Sequence, residues 1–288
     1  MKLIQLAFLM LLLSRCQNNN TNKINTANKK IANEIVDIKD KKHLIENREI
    51  EKQEYLDSIK LDKILLDALK ISNQNIKKKA FVNSFEDLID GKKIRTEINL
   101  NNHFSDSTSH LIIKRHYLST LYIDIYLKDK RTFRKVASHN QWTLEYVNDT
   151  IQDVNGDGEK DFVVNWYGST GCCLKAFSDV YVLKKDNKTF SERVTLINPT
   201  FSPKEKVVRG ICYGHPGETE LYKYKWNLEK LDTIEYVSYQ KDGKEKKTGK
   251  VIVSNKQFKG NNYKILKVLN KVPSEYKTIE GYDWFKGW

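Results

Sequence analysis

The chain has 288 residues, with 50 Lys and Arg against 37 Asp and Glu, giving a formal charge of +13. It contains no HExxH, GxSxG, P-loop or Rossmann glycine pattern, which removes the readily recognised hydrolase and nucleotide-binding classes. Lys is spread beside Glu and Asp, and runs such as Lys77-Lys78-Lys79 read as solvated faces or turns, so charge alone names no partner.

The N-terminus reads as an export signal. Lys2 is followed by an apolar run to Leu13, broken only by Gln5 and too short for a spanning helix. Leu13-Ser14-Arg15-Cys16 resembles the bacterial lipobox, whose Cys becomes the acylated first residue of the mature protein. Arg15 departs from that pattern, where a small residue is expected. Residues 1–16 are therefore read as a lipoprotein-type signal with Cys16 as the lipidated residue and membrane anchor. An ordinary secretory signal with an incidental Cys is the alternative. Loss of Lys2 and Arg15 on processing lowers the charge from +13 to +11. A basic exported protein is not expected to meet nucleic acid. Its field favours anionic envelope polymers, lipid headgroups or an acidic partner.

Residues 17–50 are rich in Asn, Lys, Ile and Glu, lack Pro, Gly and aromatics, and show no sustained period. They read as a flexible stalk. Residues 51–80 read as an amphipathic helix and linker, with Leu56, Ile59, Leu66 and Leu69 near helical spacing, and Tyr55 and Leu65 alongside.

The remainder, 81–288, reads as a single β-domain. Strands are predicted at Arg95–Leu100, His110–Tyr117, Tyr122–Lys128, Trp142–Val147, Phe162–Tyr167, Asp179–Leu183, Tyr222–Trp226, Thr233–Tyr239 and Lys250–Ser254. Turn residues at Asp157-Gly158, Lys184–Asn187, Asp242-Gly243 and Gly260-Asn261 separate several of them. Short strands without long intervening helices indicate a mainly β, antiparallel barrel, sandwich or propeller-like domain. The aromatic end, Tyr282 to Trp288, reads as a strap packed on that domain.

The nine residues from Asp153 to Asp161 carry the most specific pattern. Asp153, Asn155, Asp157 and Asp161 stand at positions 1, 3, 5 and 9, Gly158 at position 6, and the Glu159 carbonyl at position 7. A hard cation such as Ca2+ takes six to eight oxygens at about 2.3–2.6 Å, which this spacing can supply. Position 12 is Val164 rather than a Glu, and Phe162-Val163-Val164 begins a strand, so this is not an EF-hand. The alternative is an Asx/Gly-rich hairpin turn without a metal.

Cys172, Cys173 and Cys212 remain after Cys16. In an oxidising compartment, one disulfide from Cys172 or Cys173 to Cys212 is expected, closing a loop of about 40 residues worth about 4 kcal/mol. A vicinal Cys172–Cys173 bond is the strained alternative. His110 and His116 are expected at the surface or across strands. His103, His139 and His215 stand in apparent loops with no evident partner. A pair of carboxylates converging only in the fold would make a glycosidase site, so catalysis is not expected but stays open.

From Ile151 to Ile234 the chain resembles the FG-GAP/VCBS-like exported proteins of Gram-negative bacteria. The resemblance is carried by the Asp153–Asp161 loop, Asp179-Val180-Tyr181 with its charged turn, Asn198-Pro199, and Tyr222-Lys223-Tyr224-Lys225-Trp226-Asn227. It covers roughly 85 residues, and only the calcium loop is a specific motif. It implies a periplasmic or outer-membrane lipoprotein of the cell envelope, similar to immunity proteins with a lysozyme-inhibitor-like fold. The partner would then be an envelope-targeting peptidoglycan hydrolase. No Ser-Gly dipeptide of the inhibitor type occurs, and the nearest substitute is the loop bearing Tyr167, Ser169 and Thr170. The competing expectation is a carbohydrate-binding surface protein or a carboxylate-based glycoside hydrolase.

Overall fold

The computed structural model describes residues 19–258 and 262–287. The export signal, Cys16, the Gly260-Asn261 turn and Trp288 lie outside the described residues. The chain divides into two units, Met1–Lys63 and Ile64–Trp288, and helix α1 (Asn19–Gln74) runs through the boundary. The stretch expected as a flexible stalk is therefore helical from Asn19. Without Pro or Gly, its Asn-, Lys-, Ile- and Glu-rich sequence carries no helix breaker. The expected apolar stripe is split. Tyr55, Leu56, Ile59 and Leu66 are exposed, whereas Leu65 and Ala68 are buried and Leu69 packs beside them.

The second unit is built from three antiparallel sheets, each of sequence-consecutive strands. The first contains β1 (Phe81–Ile89), β2 (Lys92–Ser105), β3 (Thr108–Tyr117), β4 (Thr120–Asp129) and β5 (Thr132–Trp142). The second contains β6 (Tyr146–Gln152), β7 (Asp161–Tyr167), β8 (Ala176–Tyr181) and β9 (Val194–Ile197). The third runs through β10 (Pro199–Ser202), β11 (Val207–Ile211), β12 (Leu221–Asn227), β13 (Lys230–Lys241), β14 (Lys247–Ser254) and β15 (Ile265–Leu269). The first and last strands of each sheet do not pair with one another, so each sheet stays open and the arrangement is a sandwich rather than a closed barrel.

Side-chain alternation stacks these sheets into layers. On β7, Phe162 and Val164 join Ile112, Leu121, Ile123 and Ile125 of the first sheet. Val163, pointing the other way, joins Val208, Tyr222 and Trp226 of the third. The four-stranded sheet is thus apolar on both faces, which explains the continuous Phe-Val-Val run. On the outer face of the first sheet, Ile98, Leu100, Leu111 and Ile113 meet Leu65 and Ala68 of α1. On the outer face of the third, Leu221, Val237, Val251 and Val253 meet Val272, Tyr276, Ile279 and Phe285. The last of these belongs to α2 (Tyr282–Lys286), where Phe285 is buried and stacks on Tyr239 at 4.7 Å. The C-terminal aromatics are therefore a strap.

Several elements differ from expectation. Residues 143–145, placed in a predicted strand, form the turn joining β5 to β6. Strands β1, β5, β9, β10, β11 and β15 were not anticipated, Trp142 alone of β5 falling in a predicted strand. β9 and β10 are four residues each, too short to show a period, and Asn198 with φ +46 separates them. His110 is fully buried between Phe104 and Phe190, not at the surface, and His139 is buried on β5, not in a loop.

Candidate functional site

Register places two loops at opposite ends of β7. Gln152 pairs with Asp161, so residues 153–160 close the β6–β7 hairpin. Tyr167 pairs with Ala176, so residues 168–175 close the β7–β8 hairpin. Seven residues at about 3.3 Å each separate the two ends by about 20 Å.

In the first loop, Asp153 accepts the Gly156 amide on Oδ1 at 2.6 Å and the Gly158 amide on Oδ2 at 3.0 Å. Asn155 Oδ1 accepts the Asp157 amide, and Asp157 Oδ1 accepts the Glu159 amide. The Glu159 carboxylate accepts from Asn187 Nδ2 at 3.1 Å. Asp161 is fully buried, with one oxygen accepting the Val154 amide and the other the Leu183 amide, both at 2.9 Å. Burial pushes its carboxyl up to about 7; those two amides oppose the rise, and the charges of Asp157 and Asp153 add to it. Gly158 adopts φ +95, as the sixth position requires. Gly156 adopts φ +76, and a Cβ there would stand 2.1 Å from the Pro203 carbonyl oxygen.

Carboxylate, amide and carbonyl oxygens are the donor types a hard cation takes. Each carboxylate oxygen keeps lone pairs beyond its backbone bond, and an acidic residue at position 9 acts through water in such loops. Among the described residues, however, Asp153, Asp157, Glu159 and Asp161 do not form a group of three carboxylates with oxygens within 4.8 Å of one another. Asn155, Asp157 and Glu159 also line a cleft of about 460 Å³ with Lys184, Lys206 and Trp226.

The second loop is exposed and braced. Tyr167 is 44% exposed, and Ser169 and Thr170 are exposed. The Gly168 amide donates to the Lys175 carbonyl, and the Tyr167 amide to the Glu145 carbonyl. Both the Ser169 amide and its hydroxyl donate to Glu145 Oε1, at 3.1 and 2.9 Å. The one hydroxyl proton of Ser169 is thereby committed inside the chain, so Ser169 braces the loop, and Tyr167 and Thr170 are left to face outward.

The thiols are arranged differently from expectation. Cys172, Cys173 and Cys212 are all free. Cys212 follows Ile211, which faces the C-terminal strap, so its own side chain points the opposite way, into the core with Val163 and Val180. Burial there pushes its thiol up to about 12. Cys173 instead lies beside Cys172, with their sulfurs 3.6 Å apart, and Cys172 Sγ is 3.7 Å from His215 Nδ1. The hydrogen bond from its neighbour raises the Cys172 thiol above its ordinary value. His215, assigned no partner from the sequence, is the residue that sequence reasoning missed. It lies 43 positions from Cys172 in an unrelated loop, and no local spacing signals the meeting.

Other polar groups form structural networks. His139 Nδ1 is 2.9 Å from the Tyr181 hydroxyl, and Asp179 accepts from Trp166 and Thr195. These bonds hold the sheets in register across β5, β7, β8 and β9. No protein-family model, curated protein or solved structure matches this chain.

Proposed function

We propose that this chain is a calcium-stabilised binding protein held at the cell envelope through Cys16, acting as an inhibitor or immunity protein against a peptidoglycan hydrolase. The observation that carries this reading is the β7–β8 loop, which is exposed at Tyr167 and Thr170 yet tied to Glu145 through two hydrogen bonds from Ser169. Ordering a mobile loop on binding costs roughly 0.5–1.5 kcal/mol per immobilised side chain, and a braced loop avoids part of that cost. Tyr167 supplies a large rigid contact and Thr170 a free hydroxyl for the carboxylates of a glycan-cleaving site. The resemblance to exported calcium-loop proteins and the N-terminal signal support the envelope setting.

Purified chain is expected to slow peptidoglycan hydrolases encoded beside its gene. A Tyr167→Ala/Thr170→Ala variant should inhibit at least about tenfold more weakly. Absence of inhibition by the parent chain with calcium present rejects the reading. Equal inhibition by the variant keeps the class and moves the contact to another loop.

In this reading Ca2+ sits among Asp153, Asn155, Asp157 and the Glu159 carbonyl, with Asp161 behind them, and clamps the β6–β7 hairpin. Binding only the folded state adds about 2.7 kcal/mol when calcium is about 100-fold above its dissociation constant. Asp157→Ala should therefore lower the melting temperature in calcium and abolish the difference that EDTA makes to the parent protein. A variant melting curve that still responds to EDTA assigns the ion elsewhere.

A second reading, a carbohydrate-binding surface, is favoured by one observation. Trp142 and Tyr167 are both more than 40% exposed and flank the same residue, since the Glu145 amide donates to the Trp142 carbonyl and the Tyr167 amide to the Glu145 carbonyl. Retention on an insoluble glycan that Trp142→Ala abolishes, without hydrolase inhibition, selects this reading.

A further inference from the structure

Three soft donors from two loops converge at the end of β7 away from the Asp-rich hairpin. One ligand atom from each of Cys172, Cys173 and His215 lies within 4.8 Å of the others. The closest pairs are 3.6 Å for the two sulfurs and 3.7 Å for Cys172 Sγ to His215 Nδ1. A tetrahedral ion with metal–sulfur bonds of about 2.3 Å and metal–nitrogen bonds of about 2.0–2.1 Å spaces its sulfurs about 3.8 Å apart and sulfur from nitrogen about 3.6 Å apart. The side chains already stand near those separations. A disulfide needs its sulfurs at about 2.05 Å, far closer than they are.

The two loops are held independently of any metal. On the His215 side, Cys212 and Glu220 pair through the Cys212 amide, Thr219 Oγ1 donates to the Cys212 carbonyl, and the Glu218 amide closes a turn onto His215. Trp284 Nε1 holds the Gly214 carbonyl at 2.9 Å, and the Gly217 amide returns to the Trp284 carbonyl. On the cysteine side, the Gly168–Lys175 bond closes the hairpin. Cys172 and His215 are exposed and Cys173 is buried, which gives an ion an entry path and a shielded inner ligand. Tyr213, in the same loop as His215, is also exposed.

We propose that Cys172, Cys173 and His215 bind one Zn2+ ion through two thiolates and one imidazole, leaving a fourth position open to water or a partner's donor. Thiolate and imidazole ligands select this ion over the oxygen-seeking Ca2+. The site is separate from the calcium hairpin and independent of the hydrolase reading. It would cross-link the β7–β8 hairpin to the β11–β12 loop, the tie that a disulfide to Cys212 was expected to make.

Cobalt titration of the reduced full-length chain tests this directly. One equivalent of Co2+ should give a thiolate-to-cobalt charge-transfer band and tetrahedral d–d bands, displaced by stoichiometric Zn2+ and unaffected by excess Ca2+. Cys172→Ser and His215→Ala, both at exposed positions, should each weaken binding at least about tenfold. Cys16→Ser and Cys212→Ala should retain the band. Failure of the reduced protein to give the band overturns the proposal, as does its displacement by Ca2+ or its survival unchanged in His215→Ala. Hydrolase inhibition plays no part in this readout, so the two proposals fail separately.

Discussion

Asp124→Ala should destabilise the folded chain by about 3–5 kcal/mol, because it removes the carboxylate paired with a buried guanidinium. Asp124 and Arg115 are on neighbouring strands β4 and β3, diagonally related in the register, and their side chains are 2% and 7% exposed. Asp124 Oδ2 accepts from Arg115 at 2.8 Å, while Oδ1 accepts from the Ser138 hydroxyl at 2.9 Å and from Lys135 at 2.7 Å. A single carboxylate on β4 therefore satisfies three donors from the two strands flanking it, β3 and β5. By contrast, Lys93–Glu86 is an exposed pair whose loss should cost no more than about 1 kcal/mol. Urea denaturation of Asp124→Ala, Arg115→Leu and the double variant Arg115→Leu/Asp124→Leu forms the informative set. The double replacement should recover most of the loss, since apolar side chains of similar volume leave no charge behind. A cost below about 1 kcal/mol for Asp124→Ala shows that Arg115 reaches water when its partner is removed.

Stability should also depend on acid through His110. Its ring is fully buried, edge-on to Phe104 at 5.2 Å and near Phe190 at 5.8 Å. Desolvation lowers its pKa from 6.5 to about 4; the Lys188 and Thr108 carbonyl contacts and the Asp186 charge oppose the fall, while the His103 charge adds to it. The folded state therefore disfavours the imidazolium. The contribution is fully present above the unfolded value near 6.5 and is lost as pH falls from there toward about 4, reaching about 3 kcal/mol. Burial raises the Asp161 carboxyl, which acts in the opposite sense over an overlapping range. The measurement is thus the difference in unfolding free energy, from urea denaturation, between the parent chain and His110→Leu at matched pH. That difference should shift in favour of His110→Leu by about 3 kcal/mol between pH 7 and pH 4. A pH-independent difference places the His110 ring within reach of water.

What sequence determined is local. The alternation in Ile98, Leu100, Leu111 and Ile113 is a period-two signal written into neighbouring residues, and the strands followed it. The Phe162-Val163-Val164 run marked a strand from its β-branched and aromatic residues, and the structure then showed it covered on both faces. The spacing of Asp153, Asn155, Asp157, Gly158 and Asp161 is likewise contained in nine residues, so its turn geometry was legible before any fold. Stacking of three open sheets was not legible. It depends on which apolar faces cover one another, and each sheet's pattern is compatible with a barrel or a sandwich. The short strands β9, β10 and β11 escaped for a related reason. Their conformation is set by pairing with β8 and β12 rather than by their own four or five residues. Tertiary structure alone decided the fate of the polar groups. It turned Cys212 into the core, spent the Ser169 hydroxyl on Glu145, paired Asp124 with Arg115 and brought His215 to Cys172. Each of these contacts joins residues from different strands or loops, and their separation in the chain carries no trace of the few ångströms between them in space.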